Sequence, residues 1–235
     1  MFKRLSNWYE SLVSDPSSEP KPTSQYSSQD EMLRAVGRDD EAGLCNPLTN
    51  IYAKKQIAGS NPRENFSSET NVDVYLKAVE EEDHQQKLRE EGKDGKHSAF
   101  VDTQTPYQVK TFPAGKEIEL DEVLPTQGHA IITYPVEGKD GGDDYHQVYL
   151  GRRLPSGEGK SECISFDSSR KGGGVKEGSC NELLKEFLEN VSTRPELNRP
   201  SKKVTVATTS STLFHRKDRK IQDEQVDDKP LFEHK

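Results

Sequence analysis

Three side chains could together do covalent chemistry: Cys45 in GLCNPL, His129 in GHAIITYP and Asp167 in CISFDSS. Pro47 suits a first helical turn, and Leu48, Ile51, Tyr52 and Lys55 recur at helical spacing up to Gly59, so a helix is expected to begin at Cys45. A helix start presents free N–H groups and the positive end of the peptide dipoles, and both stabilise a thiolate. The N–H of Cys45 can also help hold an oxyanion. Asn46 beside it and Gln127 beside His129 are the side-chain candidates for oxyanion or substrate contact. His129 opens an apolar strand, where an imidazole can face across a groove and act as base near neutral pH. Asp167 closes a buried-looking strand, where a carboxylate can fix an imidazole tautomer and support its cation. Each residue also has a structural reading: a small buried thiol, a wetted strand-end histidine, an Asx turn. Cys180 in EGSCNEL, also near a helix start, is the rival nucleophile. His146 in HQVYL is the rival base, which makes a Cys45/His146 pair the main alternative. Cys163 reads as packing.

The elements that must position these groups come in two blocks. Residues 31–39, 45–58 and 71–91 carry helical apolar spacing, the last opened by Thr70 and Asp73 in the manner of a capping box. From about residue 99 the period changes to two. AFVDTQ (99–104), YQVKTF (107–112), EIEL (117–120), HAIITYPV (129–136), HQVYLGR (146–152) and CISFD (163–167) are strand candidates. Glycine-rich turns separate the last three. Residues 179–191 form a closing helix that Ser179 can cap, and VTVATT (204–209) could add a strand. Helices first, then a mostly antiparallel sheet, define an α+β class. The domain organisation expected is an amphipathic start and Ser/Pro-rich linker over 1–30, a catalytic domain over 31–194 and a polar, largely disordered tail over 195–235.

Composition narrows the function classes. Apolar residues make up 30% of the 235 and charged residues 31%, so the apolar ones must be concentrated to build a core. A net charge of −8 disfavours nucleic acid as a partner. Three cysteines and six histidines show no CxxC or zinc spacing, so no metal and no cofactor is implied, and a sparse odd cysteine count argues against a disulfide framework and fits a reducing compartment. No apolar run approaches bilayer length, and MFKRLSNWYESLV lacks the apolar stretch of a signal peptide. Residues 2–13 place Phe2, Leu5, Trp8, Tyr9 and Leu12 on one side: either a helix docked on its own domain or a weak membrane-surface or partner anchor. HRKDRK (215–220) reads as a solvated tail rather than an import signal, and Lys171–Gly174 as a flexible loop near the site that could gate access.

GLCNPL at a helix start, GHA leading a strand, and FD before a Gly-rich loop and an apolar helix resemble papain-like cysteine peptidases, and within them the YopT-like family of bacterial effectors. The resemblance covers roughly residues 40–191. It implies a papain-like fold and a thiol protease with the order Cys, His, Asp, here Cys45, His129 and Asp167. It further implies hydrolysis of a peptide, isopeptide or related acyl bond in a host protein, by a virulence factor secreted without a cleaved signal into a host cytosol, or else a cytoplasmic one. The acidic C-terminus ending near Leu231 and Phe232 is similar to the secretion signals of type IV effectors. The competing reading is a non-catalytic effector or interaction scaffold. Two departures stand out: FDSS replaces an FDPN-like segment, and the nearest Gln upstream of Cys45 is Gln29, sixteen residues away. A geometric condition follows. If 129–136, 146–152 and 163–167 form one meander, Asp167 lies at the end opposite His129 and that triad fails; it holds if the middle segment is an excursion or if strands 129–136 and 163–167 are antiparallel neighbours.

Overall fold

The computed structural model describes residues 24–38, 43–61, 66–124, 128–137, 143–152, 162–192 and 202–209. The expected helix at 2–13, Gln127 and the tail after 209 lie outside them. Helices α1 (Gln29–Ala35), α2 (Cys45–Ile57), α3 (Asn71–Glu90) and α4 (Ser98–Asp102) come first. Strand β1 (Tyr107–Pro113) and the short α5 (Leu120–Val123) follow. Then come β2 (Gly128–Glu137), β3 (Asp143–Arg152), β4 (Cys163–Phe166) and β5 (Val175–Gly178), and finally α6 (Cys180–Ser192) and β6 (Lys203–Thr209). The six strands form one sheet in the order β1-β6-β2-β3-β4-β5. Every neighbouring pair is antiparallel. The class is α+β, as expected.

Alternation along the strands builds two cores, one on each face. Ile131, Tyr149, Ile164, Phe166 and Ala207 pack with Leu48, Tyr52, Val74 and Phe100 of the first four helices. Their strand neighbours Ala130, Ile132, Val148, Leu150 and Val206 pack instead with Leu183, Leu184, Phe187 and Val191 of α6. Apolar residues one apart therefore point to opposite cores, which is the period-two rule applied to a sheet covered on both faces. Apolar concentration in this sheet and its helices resolves the low overall apolar content.

Several local expectations change. AFVDTQ is helix and turn: Asn50 Oδ1 accepts from Ala99 N at 3.0 Å, Thr103 Oγ1 donates back to Ala99 O at 2.6 Å, and Phe100 stacks on Tyr107 with centroids 4.9 Å apart. A run of six residues is too short for its period to separate helix from strand, and tertiary contacts decide. EIEL leads into α5, with the Glu122 carboxylate accepting from Glu119 N at 3.3 Å as half of a capping box. The boundary drawn at 194 falls too early, because β6 lies between β1 and β2, deep in the sheet. The linker boundary at 30 also falls inside ordered structure. Tyr26 and Ser28 are buried, and the Ser28 hydroxyl caps α1 by accepting from Glu31 N at 3.4 Å.

The cysteine expectation also needs correction. Cys163 and Cys180 form a disulfide, leaving Cys45 as the free thiol. The reason is topological: β4 and β5 form a hairpin in which Cys163 pairs with Gly178, and Cys180 opens α6 two residues later. Cys180, buried and bridged, is thereby removed as rival nucleophile. The bridge closes a loop with a sequence separation of 17. Replacing both cysteines by alanine is expected to lower the unfolding free energy by about 3 kcal/mol. Urea denaturation of the double variant against the parent chain checks this, and unchanged stability would mean that the bridge contributes nothing.

Candidate functional site

Cys45 is the first residue of α2, as its sequence context indicates. It is 8% exposed, and its Sγ lies 3.8 Å from the Tyr145 carbonyl at the start of β3. The next residue on β3 is His146, whose ring is close enough to the Cys45 side chain for the two groups to interact electrostatically. On its other side, His146 Nε2 lies 2.8 Å from Asp167 Oδ1. Asp167 follows the last residue of β4. Its Oδ1 also accepts from Ser169 N at 2.9 Å, which fixes the carboxylate from its own turn. The thiol, imidazole and carboxylate that converge are Cys45, His146 and Asp167.

His129 is not among them. In the β2–β3 ladder it pairs with Gly151, whereas His146 pairs with Tyr134. Five positions along a strand separate the two sites, about 17 Å at strand rise. The meander condition is met: β2, β3 and β4 are consecutive neighbours, so the end of β4 returns to the start of β3 and not to the start of β2. His146, the rival base of the sequence reading, occupies the position first given to His129. The signal that finds it is the hairpin connectivity itself, glycine-rich turns between three strands that each pair with the next.

The charge environment follows from these contacts. Burial works against an imidazolium at His146, but the hydrogen bonds to Asp167 and Cys45 and their charges outweigh it, so its pKa is raised to about 10. Burial alone would raise Asp167, yet the His146 contact and the Ser169 N–H hold it below the usual carboxylate value. At His129 there is no such partner, and burial drives the pKa down to about 4.

Neighbouring polar groups brace the arrangement. Asn46, an oxyanion candidate, donates its amide to the Lys96 carbonyl at 3.1 Å and to Gln147 Oε1, so it ties the start of α2 to β3. Thr49 adds a bond to the Gln147 carbonyl at 2.9 Å. Gln29 is buried and knits α1 to the acid turn: its N–H donates to Ser168 O at 2.7 Å, and its amide meets Ser168 Oγ and Ser169 Oγ at 3.3 and 3.2 Å. The same amide lies against Gly43, two residues before Cys45, where a Cβ would come within 3.1 Å of it. The glycine-rich loop after Asp167 is tied down: Asp167 N donates to Gly174 O at 3.0 Å, and Gly173 N to Ser27 O at 2.8 Å.

No protein-family model matches the chain, and no curated protein does. Among solved structures, the Pseudomonas avirulence protein AvrPphB superposes with a TM-score of 0.45 at 12% identity, covering 71% of this chain and 91% of that one.

Two outcomes test the geometry. The folded His146 pKa lies above the ordinary histidine value, so the stability it contributes is complete below about pH 6.5 and declines as pH rises toward 10. His146→Gln should remove that decline, read as a flatter urea midpoint between pH 7 and pH 10; an unchanged profile contradicts the pairing. Gly174 has φ +83° and a Cβ there would sit 2.6 Å from the Asp167 carbonyl. Gly174→Ala should therefore cost about 1–3 kcal/mol in thermal denaturation.

Proposed function

We propose that the protein is a papain-like cysteine hydrolase acting on a peptide, isopeptide or related acyl bond, with Cys45 as nucleophile, His146 as proton carrier and Asp167 as its positioning acid. The observation that carries this reading is the convergence of Cys45, at the start of a helix, with His146, whose Nε2 is hydrogen-bonded to Asp167. A nucleophile within hydrogen-bond reach of a base that is itself oriented by a third group is the arrangement that nucleophilic catalysis needs.

The Cys45 thiolate attacks the carbonyl carbon and forms a C–S bond. Negative charge gathers on the carbonyl oxygen, where the N–H groups at the start of α2 can meet it. The His146 imidazolium gives its proton to the leaving amine as the C–N bond breaks, which leaves a thioester. Neutral His146 then takes a proton from water as the oxygen attacks. The C–S bond breaks, the carboxylic product leaves, and the thiolate–imidazolium pair is restored. Asp167 holds the imidazole in place and stabilises its cation throughout.

The substrate is a protein, and the resemblance to YopT-like effectors extends the reading to a host protein as partner. No helix among the described residues is long and apolar enough to cross a membrane. The scaffold alternative is favoured by a wide separation of Cys45 from His129 and by burial of Cys45, and both hold here; the position of His146 beside Cys45 weighs against it.

Iodoacetamide labelling at pH 6 tests the reading without a known substrate. Cys45 should react faster than an ordinary thiol, and His146→Ala should slow it at least about tenfold. His129→Ala should leave the rate within about threefold, since that residue lies about 17 Å away along the strands. Labelling of Cys45 at the rate of an ordinary thiol, or sensitivity to His129 instead of His146, defeats the assignment. Once a substrate is in hand, Cys45→Ala should abolish turnover.

A further inference from the structure

Helix α2 and strand β3 run side by side from the thiol to the opposite end of the sheet, joined midway by Thr49 and the Gln147 carbonyl. Their far ends form a second concavity of about 330 Å³, lined by Gln56, Ser60, His129, Tyr149, Arg152 and Ile164. That volume lies at the lower end of the range of small-molecule sites. Gln56 is eleven residues after Cys45, about 16 Å along the helix, so this pocket is separate from the proposed nucleophile.

Its polar lining combines one donor-only group, the Arg152 guanidinium, with the Gln56 amide, the Ser60 and Tyr149 hydroxyls and the His129 ring, which can donate or accept. Gln56 is 8% exposed, and its Nε2 is buried with no hydrogen-bond partner among the described residues. A buried amide left unpaired costs about 1–3 kcal/mol, so a native structure that keeps one calls for a ligand or water that satisfies it. Arg152 is largely covered, and its ion pair with Asp121 spans 3.9 Å to a side chain that is 92% exposed, a contact of little energy. Among the described residues, no Asp or Glu lines the pocket. His129 Nδ1 and the Tyr149 hydroxyl bond at 2.6 Å, which fixes the imidazole and leaves its Nε2 for another partner. Gly151 is part of the construction: a Cβ there would lie 2.2 Å from the Tyr149 hydroxyl, so only glycine leaves room for that phenol. Ile164 and the Tyr149 ring supply an apolar wall.

We propose that this pocket binds a small organic anion, a carboxylate or phosphate carrying a short apolar body, with Arg152 pairing its charge, Gln56 Nε2 donating to an anionic oxygen and His129 completing the donor set. Guanidinium is the side chain best matched to such groups, because its planar fork meets two oxygens at once. The apolar body would lie against Ile164 and Tyr149. Binding here is independent of the thiol chemistry.

Titration of the full chain with propionate and, separately, methyl phosphate tests it, read by the side-chain NMR signals of Gln56, Arg152 and His129. The expected result is a saturable shift of all three with one of the probes, and the one that saturates identifies the head group. Arg152→Gln should weaken that binding at least about tenfold, or 1.4 kcal/mol. Because Arg152 ends a sheet strand, Gln56→Leu serves as a second variant that removes the orphan donor from a helix and should also weaken binding. Absence of a saturable shift up to about 10 mM of either probe, or equal affinity in both variants, overturns the proposal. Neither result bears on Cys45, whose labelling is read separately.

Discussion

The register of three antiparallel strands governs the site. Because β2, β3 and β4 pair in sequence, the start of β3 and the end of β4 must lie at the same end of the sheet, and the start of β2 must lie at the other. His146 and Asp167 meet for that reason and no other. Helix α2 then has to deliver Cys45 to the same end. It does so through contacts with β3 backbone and side chains: Cys45 to the Tyr145 carbonyl, Thr49 to the Gln147 carbonyl and Asn46 to the Gln147 side chain. A slip of one residue in β3 would turn His146 to the opposite face and break the chain of groups.

Burying an imidazole and a carboxylate together carries a desolvation cost that their attraction must offset. Here the offset is distributed. Asp167 accepts from His146 and from the Ser169 backbone, while Ser168 and Ser169 are held by Gln29. The loop returns through Gly174, whose carbonyl accepts from Asp167 N. Tyr26 donates its hydroxyl to the Ser168 carbonyl at 3.2 Å from the same N-terminal stretch. The segment before α1 is therefore a brace for the acid, although its Ser/Gln-rich composition reads as a linker. Aromatic packing continues the brace below: Tyr52 of α2 stacks on Phe166, the residue before Asp167, with centroids 4.6 Å apart, and meets Tyr149 edge-on.

The two histidines of the central hairpin show how environment divides identical side chains. His146 gains a carboxylate and a thiol and is held toward its cation. His129 gains a phenol in a buried setting and is held neutral. One is suited to carrying a proton through a reaction, the other to presenting a fixed neutral ring to a ligand. The same helix–strand pair supports both, with opposite ends of α2 and β3 supplying different chemistry.

The sequence by itself determined the helix at Cys45, the capped helices at Thr70 and Ser179, the strands at 107–112, 129–136 and 146–152, and the α+β class, because these depend on local spacing, caps and turns. It also singled out Cys45 and Asp167, whose contexts at a helix start and a strand end are local features. It favoured His129 over His146, because both open apolar strands and only the pairing order of those strands separates them by about 17 Å. It could not reveal the Cys163–Cys180 bridge, which depends on the β4–β5 hairpin, nor the insertion of β6 between β1 and β2, which pairs residues 72 to 102 positions apart. Those are long-range pairings. They are decided by which faces can be buried at once, and that is a property of the assembled sheet rather than of any window along the chain.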